Sequence, residues 1–385
     1  MRIFHTADWH LGKLVQGVYM TEDQRYVLEQ FIEAVRTEQP DVVIIAGDLY
    51  DRAVPPTEAV DLLNETLETL VLKLNTPVLA VAGNHDSPGR LDFGSRIMRE
   101  NGLHIVGQWT SDLEPVKYND SHGEVHFHLI PYAEPGKIRH VFGDETIKSH
   151  DDAMKATIGS IKEKMDSGAR HVLIGHAFVT PKGEERDNTS DSERPLSIGG
   201  AEHVDHRFFK LFHYTALGHL HQAHHVGDER IRYAGSPLKY SLSEERHQKG
   251  FQIVEIDAEG EIAVENRPLT PRRDLRMVEG TISEIETHQP NDDYVFIRLL
   301  DEAPVLAPME KVRAVYPNAM HVERNVAPLL PDHEGVQQVE RKKMNTSELF
   351  KAFYKEVKGS EPSNESEKLF TEVLEEMRAA EGERT

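Results

Sequence analysis

Asp41-Val-Val-Ile-Ile-Ala-Gly-Asp48 and Pro77-Val-Leu-Ala-Val-Ala-Gly-Asn-His-Asp86 decide the fold. Each is a short apolar run that stops at glycine and turns polar. Runs of that length, apolar throughout, suit strands covered on both faces. Between them, residues 57–74 read as a helix with Leu62, Leu63, Leu67 and Leu70 on one side. Upstream, residues 1–7 read as a buried strand and 22–37 as an amphipathic helix. Downstream, strands are expected at 125–131, 171–175 and 214–218, with a helix near 152–165. Strands alternating with helices predict a layered α/β sheet.

After about residue 230 the rhythm changes to short strands at 232–234, 251–256 and 262–264. The prolines at 268 and 271 mark a boundary. Residues 272–335 read as a small α+β unit made of 276–285, 294–300, a helix near 309–315, and 319–322; its end, 326–334, is linker-like. Beyond it, Leu349, Phe350, Phe353 and Val357 form one helical apolar stripe, and Leu369, Phe370, Val373, Leu374 and Met377 a second. Asn345 followed by Glu348 resembles a helix cap. The expected division is 1–270, 271–335 and 336–385.

The 385 residues include no cysteine, 22 histidines, and 44 basic against 66 acidic side chains, a net charge of −22. The charge is spread: −6 over residues 1–99, −8 over 100–274 and −8 over 275–385. Disulfides, zinc–thiolate sites and thiol nucleophiles are excluded, so any metal site must use His, Asp, Glu or Asn. The acidity argues against a protein that coats phosphates with Lys and Arg. No apolar run reaches the ~18–20 residues of a membrane span, and residues 1–5 lack the regions of a signal peptide. A cytoplasmic protein is expected.

Five polar clusters each follow an expected strand: Asp8-Trp-His10, Gly47-Asp48, Gly83-Asn-His-Asp86, Gly175-His176 and Gly218-His-Leu-His221. In open α/β sheets, ligands gather at the carboxyl ends of strands. Alternation along extended chain puts Asp8 with His10, and His219 with His221, on one side. Asp, His and Asn are donors suited to Mn²⁺, Fe²⁺ or Zn²⁺. Two metals about 3.5–4 Å apart need a bridging carboxylate, for which Asp48 is the natural candidate. Singly the signals are weak. Asp48 reads equally well as a helix N-cap, and His176 or His219 alone reads better as a structural histidine. The agreement of five motifs favours a metal centre. Asp86 reads as a hydrogen-bonding residue that orients its loop, Trp9 as packing, and His224-His225 as outside the ligand set. The charged stretch 182–194 suggests a loop that gates substrate.

The motif set resembles the calcineurin-like binuclear metallophosphoesterases. More narrowly, His5-Thr-Ala-Asp-Trp-His-Leu-Gly12, Gly47-Asp-Leu-Tyr-Asp-Arg52, Ser190-Asp-Ser-Glu-Arg-Pro-Leu-Ser-Ile-Gly-Gly200 and Gly218-His-Leu-His221 look like the SbcD family of nuclease subunits. These are bacterial counterparts of the double-strand-break repair nuclease of archaea and eukaryotes. The superfamily's protein phosphatases usually carry Gly-Asn-His-Glu where this chain has Asp86. The resemblance implies a four-layer sandwich, two mixed sheets flanked by helices, with a small α+β capping domain and C-terminal helices. It implies two divalent ions, Mn²⁺ foremost: one held by Asp8, His10, Asp48 and His221, the other by Asp48, Asn84, His176 and His219. His85 would orient the phosphate or protonate the leaving 3′ oxygen during metal-assisted, in-line attack of water. Relatives support that histidine with a second one, where this chain has Asp51. A carboxylate partner would raise the His85 pKa.

The implied activity is a 3′→5′ double-strand exonuclease and a single-strand or hairpin endonuclease in DNA repair, recombination and replication. It would be driven by SbcC, an SMC-like ATPase. Lys13, Arg52 and Arg90 could touch DNA phosphates. Leu349, Phe350, Phe353, Leu369, Phe370 and Val373 could pack on SbcC, although a helical hairpin folded on the body is nearly as good a reading. A homodimer through nuclease-domain helices, a heterotetramer with two SbcC chains, and nucleoid association during repair follow from the same resemblance. Two alternatives stand: a phosphodiesterase for small molecules or nucleotides, which the −22 favours, and a non-catalytic scaffold, whose signature would be missing ligands.

Overall fold

The computed structural model describes residues 1–110, 114–181, 189–193 and 203–324, and from the C-terminal part 349–351, 353–355, 361–364, 366–371 and 373–374. The expected features at 182–188, 194–202, 326–334, 345–348, 356–360 and 377 lie outside these residues. The chain forms two compact units: Met1–Leu299 with Val305–Glu323, and Leu300–Pro304 with Arg324–Thr385.

In chain order the larger unit runs β1 (Arg2–Thr6), α1 (Thr21–Glu38), β2 (Val42–Ala46), α2 (Thr57–Glu68), β3 (Val78–Val81), β4 (Leu103–Val106), β5 (Val116–Asp120), β6 (Gly123–Ile130), α3 (Pro135–Phe142), α4 (His150–Lys164), β7 (Arg170–His176), β8 (Tyr214–Gly218), β9 (His224–Val226), β10 (Asp228–Tyr233), β11 (Gly250–Ile256) and β12 (Ile262–Pro268). One sheet has the order β12-β11-β1-β2-β3-β4, the other β9-β10-β8-β7-β6-β5. Both are mixed. The inner strands β1 to β4 pair in parallel and β11 joins antiparallel; β6, β7, β8 and β10 pair in parallel with antiparallel edges.

Period-two alternation sorts each strand's side chains between two cores. Ile3, Val42, Ile44, Leu79 and Val81 face Phe127, Val172, Ile174, Tyr214 and Ala216 between the sheets. Phe4, Val43 and Ile45 point the other way, onto Val27, Leu28 and Phe31 of α1 and Leu62, Leu63 and Leu67 of α2. Leu173 and Leu217 pack beneath Ile138 of α3 and Ile158 and Ile161 of α4. This is the expected four-layer sandwich. The helix expected over 57–74 ends as an α-helix at Glu68 and continues as a π turn, Thr69–Lys73.

Residues 275–323 build a smaller motif from β13 (Leu275–Gly280), β14 (Tyr294–Leu299), α5 (Pro308–Arg313) and β15 (His321–Arg324) around Val278, Val295, Ile297 and Val312. Within the piece expected over 276–285 the strand ends at Gly280. Thr281 and Glu284 form a capping box, and Ile282–Ile285 turn helical. This motif meets the sandwich through Asp23 of α1, whose carboxylate accepts hydrogen bonds from the Tyr294 hydroxyl at 2.7 Å and the Arg273 guanidinium at 3.1 Å. In the smaller unit, residues 349–351, 353–355, 364, 366–371 and 373–374 are helical. Phe350 and Phe370, one from each expected stripe, stack with centroids 4.0 Å apart. Leu349, Phe353, Leu369 and Val373 are exposed.

Candidate metal centre

Five segments bring polar side chains to one place at the carboxyl ends of β1, β2, β3, β7 and β8. The backbone there is unusual. Asp8, His10, Asp48 and His219 all have positive φ, 53°, 46°, 50° and 110°. Non-glycine residues adopt such values uncommonly, Asp and His more readily than most. Two glycines make the close approach possible. A Cβ on Gly83 would lie 2.1 Å from Asp48 Oδ1, and one on Gly47, 2.2 Å from His176 Nδ1.

Asp48 sits at the middle. Its Oδ1 accepts a hydrogen bond from the His85 backbone N–H at 2.9 Å. Its Oδ2 lies 3.6 Å from His10 Nε2 and 3.5 Å from His176 Nε2. On one side, His10 Nε2 and His221 Nε2 are 3.0 Å apart. On the other, His176 Nε2 is 2.9 Å from Asn84 Oδ1. Asp8 Oδ1 accepts from the His219 N–H at 2.9 Å and lies 3.8 Å from His176 Nδ1. The His219 and His176 rings are 5.4 Å apart.

The protons decide what this arrangement can hold. His176 Nδ1–H donates to the Ala46 carbonyl at 3.0 Å, so Nε2 carries a lone pair. That lone pair faces Asn84 Oδ1 and an Asp48 oxygen: three acceptors converge. Asp8 Oδ2 and His10 Nδ1 are buried without a hydrogen-bond partner among the described residues. Burial and the neighbouring Asp48 push the Asp8 pKa well up, while burial holds His10, His176 and His219 below the usual imidazole range. Neutral imidazoles, crowded carboxylates and orphaned acceptors are what a cation would satisfy. The donor set therefore fits divalent metal. Among the described residues, Asp8–Asp48–His176 and His10–Asp51–His85 each converge tightly enough for one ion.

One expectation is corrected. His85 Nδ1 pairs with the backbone carbonyl of Asp51 at 2.8 Å, not with its carboxylate. The Asp51 carboxylate is instead held by Lys13 Nζ at 2.8 Å and lies 3.7 Å from His10 Nδ1. The tight turn after β2 presents the main chain to His85, so the support does not depend on which side chain position 51 carries. Lys13 is thus engaged inside the site rather than projecting as a free cation, whereas Arg52 and Arg90 are exposed. Asp86 accepts from the backbone N–H groups of Leu49, Tyr50 and Gly83 at 3.1, 2.9 and 2.9 Å, stitching the two motif loops together. Burial and Asp48 raise its pKa to about 7. Trp9 is fully buried and its indole N–H donates to Thr6.

A surrounding layer is not legible in the sequence. Gln24 of α1 donates to the carbonyls of Trp9 and His10 at 3.0 and 2.8 Å and accepts from the Gly12 N–H at 3.1 Å, fixing the first motif loop. The Tyr240 hydroxyl donates to the Trp9 carbonyl at 2.5 Å. Glu244 and Lys249, both buried, pair at 2.6 Å behind His221. Burial alone would raise the Glu244 carboxyl, but Lys249 and His221 outweigh it and hold it below the usual range. No spacing points to these residues. Only Ser192 and Glu193, which touch His221, lie in one of the sequence motifs that carry the family resemblance.

Residues 1–223 match the calcineurin-like phosphoesterase model, and 271–358 match the Type 5 capsule protein repressor C-terminal domain, SbcD_C. The SbcD subunit of nuclease SbcCD from Staphylococcus epidermidis is 36% identical over 360 residues, spanning 92% of this chain and 93% of that protein. Among solved structures, TT1561 of Thermus thermophilus aligns with a TM-score of 0.38 at 12% identity, covering 69% of this chain and 98% of that one. A dimetal phosphatase from Danio rerio aligns with a TM-score of 0.40 at 11% identity, covering 70% and 97%. No helix among the described residues is long and apolar enough to cross a membrane. The strand-end site, the two matched segments and the full-length relative converge: the chain is a calcineurin-like metallophosphoesterase and belongs to its SbcD nuclease-subunit family.

Proposed function

We propose that this chain is the Mn²⁺-dependent DNA nuclease subunit of an SbcCD-type complex, cutting phosphodiesters as a 3′→5′ double-strand exonuclease and a single-strand or hairpin endonuclease in DNA repair, recombination and replication. The observation that carries the reading is the convergence of carboxylate, amide-oxygen and imidazole donor atoms on both sides of Asp48. Asp8, His10, Asp48 and His221 would hold one ion and Asp48, Asn84, His176 and His219 the other. Bound there, two divalent cations would activate water and neutralise charge on the phosphate. The chain's own residues do the rest. Asp48 keeps both sites in register, its Oδ1 anchored by the His85 N–H. His85, with Nδ1 committed to the Asp51 carbonyl, has Nε2 to exchange a proton with the leaving 3′ oxygen. Asp51 serves by its main chain and by holding Lys13.

In this reading residues 1–270 are the nuclease domain, 271–335 a cap over the DNA, and 336–385 a linker and SbcC-binding tail using the Leu349, Phe350, Phe353, Leu369, Phe370 and Val373 stripes. Arg52 and Arg90 contact DNA backbone. Assembly is a nuclease-domain homodimer carrying two SbcC chains, working in the cytoplasm at the nucleoid. The −22 charge implies weak, salt-sensitive DNA binding by the isolated subunit, with tight tracking left to SbcC.

The test compares bis-p-nitrophenyl phosphate with end-labelled duplex, under Mn²⁺ or Mg²⁺, with and without SbcC and ATP. Duplex degradation that rises with SbcC and ATP is expected. Hydrolysis of the small ester with an inert duplex under every condition would favour the second reading, a small-molecule phosphodiesterase, to which the acidity of the chain also points. His85→Ala should keep metal binding and lose about 10²–10⁴-fold in cleavage. Removing residues 340–385 should abolish SbcC co-purification and spare small-ester hydrolysis.

A further inference from the structure

Behind His221 lies a group of hydrogen bonds that converge on the Glu244 carboxylate. Glu244 is wholly buried and ion-paired to Lys249 at 2.6 Å. Its Oε1 accepts from the Ser192 hydroxyl and lies 3.1 Å from His221 Nδ1. Ser192 Oγ lies 2.8 Å from the same nitrogen. An ionised carboxylate can only accept, and the Ser192 proton is already spent on Glu244. Both oxygens therefore require His221 Nδ1 to be the donor. The ring's other nitrogen, Nε2, is left with its lone pair 3.0 Å from His10 Nε2. The main chain of His221 is pinned at both ends: its N–H donates to Glu193 Oε1 at 2.7 Å, and its carbonyl accepts from Lys249 Nζ at 2.8 Å.

The same carboxylate holds a second piece of chain. Ser190 Oγ donates to Glu244 Oε1 at 3.2 Å, and the Asp191 N–H donates to Ser243 Oγ at 2.9 Å. Ser190 N–H closes the turn onto Glu193 Oε2 at 2.9 Å. Residues 189–193 are thus fastened to the centre through the buried Glu244 carboxylate and, directly, through Glu193 and Ser192 on His221.

We infer that Glu244 is a positioning residue that fixes the His221 tautomer, and that through it the 189–193 segment supports the metal position served by His10 and His221 but not the one served by Asn84 and His176. This rests on the metal-centre reading above. A carboxylate behind a ligating histidine sets ring orientation and typically changes metal affinity about 10–100-fold. His176 has a different support, the Ala46 carbonyl, so the two positions should respond separately.

Two measurements on the full chain test this. In metal-free protein labelled with ¹⁵N-histidine, and assigned by loss of signal in His221→Gln, the His221 proton should reside on Nδ1; a proton on Nε2 overturns the inference. Calorimetric titration with Mn²⁺ should show, for Glu244→Gln, one binding event weakened about 10–100-fold and the other within about twofold of wild type. Two unchanged events, or two events weakened alike, overturn it. If Glu244→Gln does not fold, Ser192→Ala serves: Glu244 alone should keep the proton on Nδ1, and its transfer to Nε2 would show that Glu244 is not what fixes it. A wild-type chain that binds no Mn²⁺ would refute the metal-centre reading, while the tautomer measurement would still decide the role of Glu244.

Discussion

Acidification should destabilise this protein through buried histidines, of which His5 and His128 lie outside the candidate metal centre. His5 lies in the core between the sheets and donates from Nδ1 to the Tyr214 hydroxyl at 2.8 Å, which in turn donates to Gln252. His128 lies on β6, with its Nε2 3.0 Å from His171 Nδ1. His171 Nε2–H is committed to the Asp166 carbonyl at 2.8 Å, so His128 must be the donor. Neither ring contacts an anion among the described residues that would favour its charged form. Burial lowers both from 6.5 to about 3. The folded state therefore binds fewer protons than the unfolded chain between pH 6.5 and 3, and stability falls as pH drops through that window. From about pH 7 to pH 5, linkage gives a loss of about 2 kcal/mol per histidine, about 4 kcal/mol for the pair. Against a typical total of about 5–15 kcal/mol this is large. Urea unfolding of chelator-treated protein, followed by fluorescence of the buried Trp9 and Trp109, would read it. His5→Asn and His128→Gln keep a donor at the right nitrogen position without a titratable ring. The double variant should lose about 4 kcal/mol less than wild type over the same pH interval. An equal loss in the double variant, or a wild-type stability that is flat between about pH 7 and 5, would refute the reasoning.

Three further outcomes follow from the geometry. Gly83→Ala forces a Cβ against Asp48 Oδ1 and, at 2.4 Å, against Asp48 N; it should cost at least about 1–3 kcal/mol and reduce Mn²⁺ stoichiometry by calorimetry, while Gly136→Ala, with open space around it, should bind like wild type. Arg170 is buried and grips Asp120 at 2.5 Å, beside the Met1 ammonium at 2.9 Å, and Arg170→Met should destabilise by about 1–3 kcal/mol in urea unfolding. Arg170 foremost holds the Asp120 carboxyl below its ordinary range, so the pair's contribution is present above about pH 4 and lost as pH falls further. Metal at about 100 times its Kd should stabilise by about 2.7 kcal/mol per site; a thermal-shift assay with and without chelator should show this in wild type and little of it in Asp48→Asn.

The layered fold was readable because its signals are local. Residues 42–46 and 78–81 are too short and too uniformly apolar for surface helices, and the spacing of Leu62, Leu63 and Leu67 marks one helical face. The polar clusters were readable as a set because each follows such a strand, and a parallel sheet brings successive carboxyl ends to the same edge. Element boundaries were less readable: within 276–285 the strand ends at Gly280 and the Thr281–Glu284 box starts a helix.

Local patterning and motifs were enough for a layered α/β fold, the family resemblance and the residue types at the strand ends. The tertiary structure decided the rest: which atom of position 51 meets His85, where the Lys13 charge goes, and that Glu244, Lys249 and Gln24 stand behind the motif loops. The physical reason is that those contacts join segments far apart in the chain. Glu244 meets Ser192 and His221, and Gln24 meets Tyr240. A proton's position on a ring depends on its spatial neighbours, and no spacing along the chain records it.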